Sequence, residues 1–129
     1  MLVPNVQPFK TFQSFRNKKG TMASRDESFK DFVLDQLQDL NGVEARPMFG
    51  GHGLYKDEIF FGIVHKGKLF FKVDESTVGE YRRRKMRPLH PNAKQTLRSY
   101  YEVPVEIIED GERLGTWTEA AIHCQRKKD

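Results

Sequence analysis

Residues 48–73, MFGGHGLYKDEIFFGIVHKGKLFFKV, constrain the fold more than any other stretch of this chain. They hold five of its ten Phe and five of its ten Gly. Lys66-Gly67 separates two apolar runs, and a two-residue X-Gly loop suits a primed hairpin turn because Gly accepts positive φ. That turn sets a register: His65 faces Lys68, Val64 faces Leu69, Ile63 faces Phe70, Gly62 faces Phe71, Phe61 faces Lys72 and Phe60 faces Val73. Side chains alternate across a strand. One face should therefore carry Phe60, Gly62, Val64, Leu69, Phe71 and Val73. The other should carry Ile59, Phe61, Ile63, Phe70 and Lys72. Both are apolar, whereas a half-solvated antiparallel sheet shows one polar face. The chain's helices are expected to cover one side. Ile59, Phe61, Ile63 and Phe70 on the other side are expected to meet a second copy or an obligate partner, with Lys72 at the rim, because so large an apolar patch is rarely left wet.

At 129 residues the chain is long enough to bury a core without disulfides or metals. A single cysteine, Cys124, allows no disulfide and no cysteine-based metal site within one copy. A reducing, cytoplasmic setting fits, and no apolar run reaches the length of a membrane span. The 22 Lys and Arg exceed the 18 Asp and Glu by four, and that excess lies in residues 1–21 as Lys10, Arg16, Lys18 and Lys19. Residues 22–129 balance at 18 and 18, so the basic pI does not by itself argue for nucleic-acid binding.

In chain order, residues 1–21 read as a disordered extension before a domain at 22–129. Pro4, Pro8 and Gly20 oppose a long helix there, although Phe9, Phe12 and Phe15 beside basic residues also suit an amphipathic segment. A helix is expected over about 25–40, capped by Ser24, with Phe29, Phe32, Val33, Gln36, Leu37 and Leu40 in one stripe. Asn41-Gly42 ends it. Strands follow at 43–49, at Leu54-Tyr55 and in the hairpin. A second helix spans about 75–85, capped by Asp74 or Ser76. Residues 88–94 read as a loop and 97–103 as a strand. Pro104 opens a short helical turn at 105–108, and Asp110 caps a last helix with Leu114, Trp117, Ala121 and Cys124 on one side. Cys124 reads as a buried small hydrophobe.

Two stretches invite a site. Gly50, Gly51 and Gly53, with Gly67 at the hairpin turn, are structural turn glycines. A phosphate cradle would need a helix after Gly50–Gly53, and a strand follows instead. The run Arg82, Arg83, Arg84, Lys85 and Arg87 lies in a basic region between Ser76 and Tyr101 that has one acid, Glu80. It is either a solvated helix end or a contact for nucleic-acid phosphates or a partner. The histidines at 52, 65, 90 and 123 show no metal-ligand spacing, and no nucleophile or paired-carboxylate pattern stands out. No catalytic residue, metal or cofactor is assigned. A small enzyme or ligand binder built on the glycine turn and His52 is the weakest of three readings.

Arg46-Pro-Met-Phe-Gly-Gly-His-Gly-Leu-Tyr-Lys-Asp, Phe60-Phe-Gly-Ile-Val, Leu69-Phe-Phe-Lys-Val-Asp-Glu and Ser99-Tyr-Tyr-Glu-Val-Pro, with Trp117-Thr-Glu-Ala-Ala, together resemble the N-terminal domain of the TfoX/Sxy competence regulators. The resemblance spans about 25–125. It implies an α+β fold, an antiparallel sheet packed by helices and similar to secretion chaperones. The element order expected here is α-β-β-β-β-α-β-α-α. It also implies a non-enzymatic bacterial protein in transcriptional control of DNA uptake, working with the cyclic-AMP receptor protein. Full-length TfoX-type regulators carry a second, C-terminal domain, and the resemblance covers the first. The leading expectation is a cytoplasmic regulatory module acting through protein contacts as a homodimer. Direct nucleic-acid binding through residues 82–87 is the alternative.

Overall fold

The computed structural model describes residues 22–48 and 50–127. The proposed extension at 1–21 lies outside them. Helix α1 (Met22–Gln36) leads into strands β1 (Val43–Met48), β2 (Gly51–Lys56), β3 (Ile59–His65) and β4 (Lys68–Lys72). Helix α2 (Val78–Arg83), strands β5 (Pro88–Asn92) and β6 (Gln95–Glu102), and helices α3 (Val105–Ile108) and α4 (Gly111–Lys127) complete the chain. The six strands form one antiparallel sheet in the order β1-β2-β3-β4-β6-β5. The α+β class and the antiparallel sheet are as expected, with one strand more than expected.

Helix α1 starts before Ser24, so Ser24 is not its cap, and it stops at Gln36 rather than Leu40. Phe29, Phe32, Val33 and Leu37 are buried on the sheet as their spacing predicts. Gln36 turns aside, and its amide donates to the Ile108 carbonyl at 2.9 Å. Gly42 closes the turn with φ +88°. Helix α2 is shorter than expected because residues 74–77 form their own turn. There the Asp74 carboxylate accepts from the Ser76 N–H and hydroxyl, and the Thr77 hydroxyl accepts from the Asp74 N–H. Asp110 caps α4, its carboxylate accepting from the Arg113 N–H at 3.2 Å. Cys124 is buried, 3.6 Å from the Thr77 hydroxyl.

The β3–β4 register agrees with the sequence from Gly62↔Phe71 to His65↔Lys68. Lys66 and Gly67 both have positive φ, as a type I′ turn requires. The two face lists, however, need correction. Leu54 pairs with Gly62 and Tyr55 with Phe60, which leaves Phe61 as an extra residue in a β-bulge. A bulge resets the alternation, so Ile59 and Phe61 join the helix-covered face with Val64, Leu69 and Phe71, while Phe60 moves to the other. The main core therefore unites the α1 stripe, Leu54, Phe61, Phe71, Val103, Ile107, Leu114 and Ile122. Each such side chain contributes about 1.5–3 kcal/mol on burial.

Residues 88–94 are not a loop. Pro88–Asn92 is an edge strand held by β6 through Leu89↔Leu97 and Asn92↔Gln95. Pro88 and Pro91 conceal it in the sequence, yet an edge strand tolerates proline because half its N–H groups need no partner. This hairpin brings Leu89 and Leu97 onto Ile63 and Phe70. Ile63 and Phe70 are 7% and 6% exposed, so the chain's own last hairpin supplies cover for which a partner was expected.

Candidate functional site

What remains open on the second face is a row of aromatic side chains. The rings of Tyr55 and Phe60 lie 5.2 Å apart, and those of Phe60 and Tyr100 5.8 Å apart. All three are partly exposed. Cations close both ends: the Arg46 guanidinium sits 4.2 Å from the Tyr55 ring centre, and the Lys72 ammonium 5.5 Å from that of Tyr100. Arg46 also holds Glu44 and Glu58, each at 3.0 Å. Gly53 is the seat of the row. A Cβ there would stand 3.0 Å from the Phe60 ring, 3.2 Å from the Met48 sulfur and 3.2 Å from the Tyr55 ring. Met48, at 42% exposure, extends the apolar surface.

Beside the row, an open cleft of about 550 Å³ is lined by Glu58, Ile59, Phe60, Lys72, Tyr100, Gln125 and Arg126. Burial pushes the Tyr100 phenol up from its usual range, while a hydrogen bond with Gln125 pulls against this. Lys72, expected at a rim, is 7% exposed.

Of the four residues assigned to a partner face, Ile63 and Phe70 lie under the β5–β6 hairpin, and Ile59 and Phe61 belong to the opposite face. Tyr55, Phe60 and Tyr100 are not legible as a group in the sequence. No local spacing relates Tyr55 to Tyr100, and only the bulge brings Phe60 between them.

The basic run is divided. Glu80 binds both Arg83 and Arg84, the latter at 2.8 Å. Arg84 also reaches Glu106 at 2.9 Å and lies over the Trp117 ring. Its charge is neutralised locally. Arg82, Lys85 and Arg87 are exposed.

Gly50 has φ +67°, as a turn glycine should. Gly51 is required for a different reason: a Cβ there would fall 2.0 Å from the Val64 carbonyl oxygen. Both Gly51 and Gly53 lie within β2, so no helix N-terminus faces this turn. His52 approaches Glu27 of α1 at 3.5 Å, and its Nδ1 has no hydrogen-bond partner among the described residues. No group of three or more His, Cys, Asp or Glu able to hold a metal ion occurs among the described residues.

The model of the TfoX N-terminal domain matches residues 35–125. The chain belongs to the TfoX N-terminal domain family. That membership supports a regulatory, competence-related role in general terms. No curated protein matches the chain. Among the described residues, no helix of this TfoX N-terminal-type domain is long and apolar enough to cross a membrane.

Proposed function

We propose that this TfoX N-terminal-type domain is a cytoplasmic, non-enzymatic module in the transcriptional control of competence, acting through protein contacts made by the row Tyr55–Phe60–Tyr100. The row itself carries the reading. Tyrosine, phenylalanine and arginine clustered on a rigid sheet are what binding hot spots are made of. Gly53 keeps the sheet surface low so that the rings lie together. A second copy of this chain and the cyclic-AMP receptor protein are the two partners this reading names.

Sedimentation of the full chain at micromolar concentration, with and without the receptor protein, tests it. The expected result is a dimer or a complex that Phe60→Glu abolishes while the circular dichroism stays unchanged. A wild-type chain that stays monomeric and leaves the receptor protein free would overturn the reading.

A further inference from the structure

Residues 81–101 contain seven Lys or Arg and no Asp or Glu. The rest of residues 22–129 carries eleven basic and eighteen acidic side chains. A chain segment this one-sided, inside a domain neutral in sum, concentrates positive potential at one structural unit. The fold identifies that unit as the end of α2 and the β5–β6 hairpin. Helix α2 packs against β6, and the Arg87 carbonyl accepts from the Glu102 N–H at 2.9 Å, so the run and the hairpin share one support.

Two of the seven cations are taken by Glu80. The other five, Arg82, Lys85, Arg87, Lys94 and Arg98, are exposed and make no ion pair among the described residues. The hairpin has two different faces. Leu89 and Leu97 anchor one face on Ile63 and Phe70. Elsewhere it presents small polar groups between the cations: His90 bonded to Thr96 at 3.0 Å, and Asn92 bonded to Gln95 at 3.3 Å. Short hydroxyl and amide side chains between basic ones suit phosphate oxygens. The strand Pro88–Asn92 is a sheet edge, but two of its five residues are prolines without an N–H, which disfavours adding another strand. Recognition here must therefore use side chains.

We infer that the β5–β6 hairpin and the end of α2 form a docking surface for the phosphate backbone of duplex DNA, which extends well beyond the run 82–87. Strand β5, Pro88–Asn92, covers about 16 Å, with Arg87 before it and Lys94 in the turn after it. Duplex DNA carries a charge every ~1.7 Å of its axis, so several phosphates fall within reach. The duplex is favoured over a single strand because no Phe, Tyr or Trp ring stands open among these five cations, where bases would stack. Of its two tyrosines near the cations, Tyr101 is buried against Tyr81, and Tyr100 is committed to Phe60 and Lys72. Binding of this kind positions a protein without reading base sequence. It goes beyond the protein contacts proposed above and uses different side chains.

The test is fluorescence anisotropy of the full chain with a 30-base-pair duplex from low salt to about 200 mM, the range over which phosphate contacts lose affinity steeply. Five contacts give a log–log slope of about −4.5, and Lys94→Gln with Arg98→Gln should make it shallower by about two. Two unrelated sequences should bind alike, and Phe60→Glu should leave the slope unchanged. Both hairpin residues are exposed, so their replacement spares the fold. Four results would overturn the inference: no duplex binding at low salt; a slope unaltered by the hairpin substitutions and carried instead by Lys18 and Lys19; tighter binding of the single strand; or polyglutamate competing charge for charge, which would mark a site for an acidic protein.

Discussion

Phe61 and Ile63, two residues apart on one strand, face opposite sides of the sheet. Phe61 is fully buried beneath the helices, whereas Ile63 lies under the last hairpin. The bulge at Phe61 separates the domain's core from its open aromatic row, and it makes neighbouring phenylalanines unequal. Phe61→Ala should cost about 3–5 kcal/mol in urea unfolding, as removal of a buried ring does. Phe60→Ala, at a partly exposed position, should cost about 1–2 kcal/mol. The reverse ranking would restore simple alternation and remove Phe60 from the surface.

The β2–β3 turn is built without glycine. Asp57 and Glu58 take φ of +52° and +70°, a conformation that costs a residue with a Cβ roughly 1–2 kcal/mol. Glu58→Gly should therefore raise stability by about 1 kcal/mol, even though it gives up the exposed, water-screened pair with Arg46. Glu58→Ala keeps the strain and loses the pair, and should show no gain. Equal thermal midpoints for the two variants would contradict this account of the turn.

Two other glycines should respond oppositely to alanine. Gly51→Ala drives a methyl into the Val64 carbonyl and should cost about 3 kcal/mol. Gly79→Ala, in α2 with open space around it, should stabilise by about 0.5–1 kcal/mol. Chemical unfolding of both variants at one temperature gives the comparison directly.

Tyr81 and Tyr100 should resist alkaline ionisation. Burial raises both phenols above their ordinary value, Tyr81 the more strongly. The folded state thus holds these protons more tightly than the unfolded chain does. Their contribution to stability should be complete below about pH 10 and should decline as pH rises beyond it. Ultraviolet titration of tyrosinate checks this. Titration of all four tyrosines together near pH 10 in the folded protein would contradict it.

Some of this architecture was legible from residues alone because its causes are local. The 3.6-residue stripe from Phe29 to Leu37, the positive φ of Lys66-Gly67 with the register it imposes, and the Asp110 cap each depend on a few neighbouring positions. Sequence carries such information directly. Four other features depend on pairs of distant elements. The Phe61 bulge is a mismatch between β2 and β3, and nothing within Phe60-Phe61-Gly62 announces it. Strand β5 exists because β6 pairs with it and Ile63 and Phe70 receive Leu89; its two prolines argue locally for a loop. Glu80 captures Arg83 through helical proximity, but Arg84 is immobilised by Glu106 and Trp117 from later in the chain. The aromatic row forms only after the bulge has moved Phe60 between Tyr55 and Tyr100. Alternation, spacing and caps are properties of one segment, whereas the choice of which apolar face stays open is made by strand pairing between segments, and only the folded chain can decide it.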